Sequence, residues 1–203
     1  MPFKKLHAHI NEKLASQNIS APTQFQIASI PVIKSGANTF CTAPKDSGKT
    51  TTLIITTLNK LKCEEVGAAP RAIILVKDRE SAFALDEAIL KYTRHTSLRV
   101  YTCDDKLHIE MLTSEIFEGV DILIATPKTM CKLLLLEGLN MTQLKIFNIE
   151  DAEFLAKSDT YTALMSITQS IHKCQYVIYS EKINPMLKRL ETQFMQYSKK
   201  VAI

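Results

Sequence analysis

Six short runs of Val, Ile, Leu and Phe recur near residues 38–42, 72–76, 98–103, 120–125, 145–149 and 175–179, and longer amphipathic stretches separate them. Within Ala72-Ile73-Ile74-Leu75-Val76 and Asp121-Ile122-Leu123-Ile124-Ala125, both alternating faces are apolar. A strand with one face on water alternates instead, so these runs predict strands covered by helices on both sides, in a mostly parallel α/β sheet. Lys199-Lys200-Val201-Ala202-Ile203 is expected to add one last short strand. The first 35 residues predict helix, turn, helix. Phe3, Leu6, Ile10 and Leu14 fall at spacings of three and four, Ser20 and Pro22 interrupt, and Phe25, Ile27, Ile30 and Ile33 resume.

Composition narrows the class further. With 203 residues, 46% hydrophobic and 23% charged, the chain is long enough for one large core and excludes disordered and collagen-like classes. There is no internal repeat or linker-like tract, and residues 64–70 are expected to be a loop within a single domain. No apolar run approaches the roughly 18 to 20 residues that cross a bilayer, and MPFKKLHAHINEKL lacks a signal-peptide core, so neither a membrane span nor secretion is expected. The cysteines at 41, 63, 103, 131 and 174 form no C-x-x-C pair, which points to buried thiols in a reducing cytoplasm. A net charge of +4 tolerates a nucleic-acid partner without demanding one.

Chemistry concentrates after the first run. Thr39-Phe40-Cys41-Thr42 leads through Ala43-Pro44-Lys45-Asp46-Ser47-Gly48-Lys49-Thr50 into a segment expected to be helical over 51–62. Strand, loop, Gly-Lys-Thr, helix is the arrangement in which backbone N–H groups meet phosphate oxygens, a lysine reaches the outer phosphates and a threonine hydroxyl takes a place on Mg²⁺. A lone Gly-Lys-Thr is more often an ordinary turn; its position at the first strand of an α/β pattern favours the phosphate loop.

Around this loop stand, in order, Phe3, Pro22-Thr23-Gln24-Phe25-Gln26, Arg79-Glu80, Thr126-Pro127 and Glu150-Asp151-Ala152-Glu153. The set resembles the amino-terminal RecA-like domain of DEAD-box RNA helicases over essentially the whole chain. The resemblance implies a single RecA-like P-loop domain at 1–203, with 1–35 an adenine-recognition segment and 36–203 the α/β core; the second RecA-like domain that family members carry is expected to be absent from these residues. It implies ATP and Mg²⁺ as ligands. Gln26 would read adenine through its carboxamide and Phe3 would stack on the base. Lys45, Asp46, Ser47, Gly48, Lys49, Thr50 and Thr51 would line the phosphates. Thr50 and Glu150 would hold the metal, Lys49 would stabilise charge, and Asp151 would orient the attacking water. Lys77, Arg79, Thr126 and Lys128 would face RNA, although a plain solvated surface explains the lysines equally well.

The departures bear on activity. Glu150-Asp151-Ala152-Glu153 keeps three acids but exchanges each for the other length, leaving Asp151 a methylene short. A misplacement of about 1 Å at such a position can cost on the order of 10²-fold in rate. Asp46 stands where the family has glycine, and its charge about 5 Å from a phosphate would cost roughly 3 kcal/mol at an effective dielectric near 20. Lys45 is expected to neutralise it or to reach a phosphate itself. Thr102-Cys103 replace a glycine pair, Lys128-Thr129 replace Gly-Arg, and Ser180-Glu181-Lys182 keep only the first residue of Ser-Ala-Thr. The expectation is therefore an ATP- and ADP-binding domain with weak RNA binding, hydrolysis near background and no unwinding alone, since an arginine finger from a second domain typically supplies 10³ to 10⁵ in rate. The alternative is a noncatalytic module that binds RNA or a protein, such as a second RecA-like domain or a helicase in trans.

Overall fold

The computed structural model describes residues 3–203. Among them, seven strands form one parallel sheet: β1 (Thr39–Thr42), β2 (Ala72–Leu75), β3 (Val100–Thr102), β4 (Ile122–Ala125), β5 (Ile146–Ile149), β6 (Gln175–Ser180) and β7 (Lys199–Ala202). Their order across the sheet is β3-β4-β2-β5-β6-β1-β7. Eight α-helices intervene: α1 (Ala8–Ser16), α2 (Gln24–Lys34), α3 (Lys49–Leu61), α4 (Arg79–Thr93), α5 (Ile109–Glu118), α6 (Pro127–Leu135), α7 (Ser158–Gln169) and α8 (Pro185–Arg189).

The apolar runs explain the two-sided packing. Cys41, Ile74, Ile124, Val177 and Tyr179 point to one face, where α1 to α4 contribute Ile10, Ile30, Leu53 and Leu85 to the core. Phe40, Ile73, Leu75, Leu123, Phe147 and Ile178 point to the other, beneath α5 to α8 with Leu112, Met130, Leu164 and Leu187. Successive strand residues thus feed opposite cores, the period-two geometry of a sheet with both faces covered. At the amino ends of β2 and β4, the buried Asp121 carboxylate accepts from Arg71 Nη2 at 2.6 Å and Arg99 Nε at 2.9 Å. Cys41, Cys63 and Cys103 are buried thiols, whereas Cys131 and Cys174 are only partly covered.

The helical start differs from its periodic pattern. Phe3–Lys5 is a 3₁₀ turn, and α1 begins only at Ala8. Between them, His7 is extended (φ −55°, ψ 142°), and its N–H donates to Asn59 Oδ1 on α3 at 3.0 Å rather than to a helical carbonyl. The apolar spacing survives the break because Phe3 and Leu6 still reach the core.

Candidate functional site

Beyond Thr42 the chain turns through residues 43–48 into α3, whose first-turn N–H groups face the mouth of the loop. Gly48 has φ +93°, a conformation that favours glycine, and a Cβ there would lie 2.7 Å from Gln26 Nε2 and displace that carboxamide. Asp46 adopts φ +59°, the left-handed geometry that glycine would supply, with its side chain exposed. Lys45, Asp46, Gly48 and Thr51 line a cavity of about 440 Å³, together with Lys49, Thr50 and Asp151. The Lys49 ammonium is buried, donating to the carbonyls of Ala43 at 2.7 Å and Pro44 at 2.8 Å. Ser47 Oγ is buried in the same loop without a hydrogen-bond partner among the described residues. Among the described residues no ion pair joins Lys45 to Asp46, so the expected neutralisation of one by the other is absent.

The acidic segment meets this loop across the sheet. β5 lies two strands from β1, with β6 between them. Thr50 Oγ1 nevertheless donates to Glu150 Oε1 at 2.9 Å, joining the loop to the end of β5. Burial pushes the Glu150 carboxyl up to about 7; the Thr50 hydroxyl opposes that shift and the neighbouring Asp151 charge adds to it. Asp151 sits at φ +43°, a constrained backbone for a non-glycine residue, and lines the cavity. Glu153 Oε1 accepts from the backbone N–H of Glu181 at 2.5 Å and of Lys182 at 3.4 Å, tying the acidic segment to the loop after β6. Sequence reasoning misses this role of Glu153; its place in the run of acids is the available signal.

Thr23 and Gln26 act on the loop from α2. Gln26 is only 3% exposed. Its Oε1 accepts the Thr23 N–H at 3.0 Å, completing a reciprocal cap of α2, while Nε2 lies 3.5 Å from the Gly48 carbonyl. Thr23 Oγ1 donates to the Ser47 carbonyl at 2.7 Å. In this arrangement the carboxamide expected to read adenine is engaged within the protein, where it buttresses the loop. Phe3 is packed in the core and lines a different cavity with Asn11, Leu14 and Asn18, apart from the one at the phosphate loop.

The four residues expected to face RNA are handled unequally. Arg79 opens α4 and makes a bidentate pair with Asp104, Nε to Oδ1 at 2.5 Å and Nη2 to Oδ2 at 2.7 Å, with its guanidinium 4.6 Å from the Phe83 ring centroid. The Arg79 guanidinium, with the Lys106 N–H, holds the Asp104 carboxyl down to about 2. Thr126 caps α6, and its hydroxyl also donates to Asp105 at 3.1 Å; the Thr129 hydroxyl donates to Asp105 as well. Lys77 lies 3.8 Å from the exposed Asp78, and Lys128 is exposed with no ion pair among the described residues. Asp104 and Asp105 carry no motif of their own in the sequence, where the missing glycine pair just before them is the stronger signal.

The profile of the family described as DEAD/DEAH box helicase matches residues 23–187. A probable ATP-dependent RNA helicase of Dictyostelium discoideum is 22% identical over 196 residues, covering 95% of this chain and 20% of its own. The fold of a DEAD box protein from the hyperthermophile Methanococcus jannaschii superposes with a TM-score of 0.89 at 18% identity, over 98% of this chain and 54% of that one. An S. cerevisiae dbp5 variant, solved with nup159, gle1, IP6 and ADP, gives 0.83 at 17% identity over 98% and 52%. The chain thus spans about half of these solved chains and a fifth of the curated relative.

Proposed function

The chain belongs to the DEAD/DEAH box helicase family, and from that premise we propose that it is a helicase module that binds ATP or ADP with Mg²⁺ and binds RNA weakly. The observation that carries this proposal is the 2.9 Å bond from Thr50 to Glu150, which brings a hydroxyl from the first turn of α3 and a carboxylate from the end of β5 to one edge of the loop cavity. Hard oxygen donors of this kind suit Mg²⁺, which is commonly held by one or two carboxylates together with nucleotide phosphates. When bound, the metal would neutralise charge on the phosphates. The N–H groups at the start of α3 and the Lys49 ammonium would take phosphate oxygens, with Lys49 leaving the carbonyls of Ala43 and Pro44 to do so. The dbp5 relative is described with ADP, which supports the ligand class.

Hydrolysis is proposed to be weak or lost, because Asp151 presents a shorter acid from a constrained backbone at the position expected to orient water. A second RecA-like domain, on the same polypeptide or in trans, is the proposed partner that would complete the site. Residues 1–35 are proposed as the base-side segment, acting on the loop through Thr23 and Gln26. The second candidate function, a noncatalytic module that binds RNA or a protein, draws its support from Asp46 and Asp151, two acids on left-handed backbone that line the loop cavity.

Titration with ADP and Mg²⁺, followed by calorimetry, tests the nucleotide proposal. Wild-type binding is expected, weakened on the order of 10- to 100-fold in Lys49→Ala through loss of a charge-assisted contact. No heat and no thermal stabilisation up to millimolar ADP would remove it in favour of the interaction module.

A further inference from the structure

The loop between β3 and α5 carries two carboxylates that take the same donors a nucleic-acid phosphate would take. Asp104 receives Arg79 through two parallel N–H···O bonds, the fork geometry with which arginine grips phosphate. Asp105 receives the hydroxyls of Thr126 and Thr129 at the start of α6. Thr126 is only 4% exposed and Thr129 equally so, and the stacking of Arg79 on Phe83 fixes its guanidinium in place. Two elements that begin at the carboxyl ends of separate strands, α4 after β2 and α6 after β4, are therefore joined to one loop by its acids.

We propose that Asp104 and Asp105 are built-in phosphate mimics that gate the nucleic-acid face, so that single-stranded RNA gains Arg79, Thr126 and Thr129 only when this loop moves aside. The inference rests on the RNA-binding function proposed for the chain and adds to it the residues that set affinity. An RNA phosphate must compete with a tethered carboxylate at very high effective concentration and must also approach its negative charge. Both effects lower affinity without removing a single cationic side chain. Lys128, exposed and in no ion pair among the described residues, stays available for a loose, salt-sensitive association, and Lys77 is held only by its 3.8 Å contact with Asp78.

The test is fluorescence anisotropy of labelled single-stranded RNA with the full chain, at several salt concentrations, for wild type, D104N, D105N and the double variant. Far-ultraviolet circular dichroism and melting check the fold, and D104N is the fallback should loss of Asp105 disturb α6, since Asp104 pairs with the partly exposed Arg79 rather than with the buried threonines of the α6 cap. The double variant is expected to bind on the order of tenfold more tightly, with a steeper dependence on salt as further phosphate contacts form. Adding Arg79→Ala to it is expected to abolish most of that gain. If wild type binds RNA and the variants bind no better, the gate is refuted while RNA binding stands. If neither wild type nor the folded variants bind at low salt, both the gate and the RNA-binding function fail. A gain that persists without Arg79 also overturns the gate, because the released guanidinium would then have no part in it.

Discussion

Glu150 and Asp104 are carboxylates at the carboxyl ends of strands in one sheet, and their surroundings push them in opposite directions. Glu150 is raised to about 7 by burial, with a neutral hydroxyl as its hydrogen-bond donor. Asp104 is held at about 2 by a bidentate arginine. The first stands beside the loop cavity that Lys49 and Thr50 line, where nucleotide and metal are proposed to bind. The second has its cation already. Along one carboxyl edge, the centre of the sheet at β5 therefore carries an acid with no cationic partner among the described residues, and its β3 side carries an acid satisfied from within. The difference shows how two carboxylates on one edge of a sheet take opposite characters according to the donor each meets: a lone hydroxyl in one case, a paired guanidinium in the other.

The largest expected effect separates these carboxylates by pH. A carboxyl whose folded value is raised binds a proton more tightly in the folded state than in the unfolded one. Its stabilising contribution is therefore full below the ordinary carboxyl range and is lost as pH rises through about 7. For Glu150 the loss amounts to about 3 kcal/mol. Denaturant melts of the ligand-free chain at pH 5 and pH 8 are expected to show this decline, and Glu150→Gln, which can still accept from Thr50, is expected to flatten it. An unchanged pH slope in Glu150→Gln would show that burial at this position is weaker than the geometry implies. The comparison with Asp104 would then lose its first half.

A smaller effect is expected within the loop. Asp46 supplies the left-handed backbone at φ +59° but adds an exposed negative charge next to the phosphates. Asp46→Gly keeps the conformation and removes the charge. Solvent and salt screen an exposed carboxylate well below the unscreened repulsion, so ADP affinity is expected to rise roughly fivefold at low ionic strength and less as salt is added. Lys45, which pairs with no acid among the described residues, is expected to contribute a phosphate contact, so Lys45→Ala should weaken ADP binding by a similar factor. Calorimetry on the two variants checks both signs, and a weaker Asp46→Gly would show that the aspartate holds the loop in shape.

The sheet was legible because burial on both faces writes itself into composition: Ile73-Ile74-Leu75 can sit only between two helical layers. The phosphate loop was legible because Gly48, Lys49 and Thr50 are adjacent in sequence, and their chemistry needs that adjacency. Contacts made by residues far apart were not. Thr50 meets Glu150 across 100 positions, and in the sequence only the family pattern links them. Gln26 illustrates a different limit. Its identity is clear, but a carboxamide has two ends, and sequence does not reveal that one end caps α2 while the other approaches Gly48. The pairing of Arg79 with Asp104 is hidden because Asp104-Asp105 resembles an ordinary solvated turn. Only the close approach of β3, α4 and α6 turns that pair of acids into partners.

The smallest effect tests what remains of the nucleic-acid face when the acids are left in place. Lys128 follows the α6 cap, is exposed and pairs with no acid among the described residues, so its ammonium is free to meet a phosphate without displacing anything. An exposed lysine at such a position adds a screened attraction and one released counterion. Lys128→Ala is therefore expected to weaken RNA binding about two- to threefold and to reduce the salt slope by about 0.7 for a single-stranded ligand. The same substitution should leave ADP affinity unchanged, because Lys128 lies outside the residues lining the loop cavity. Equal losses of RNA and ADP binding would contradict the separation of the two regions; an unaltered salt slope would place RNA somewhere other than the start of α6.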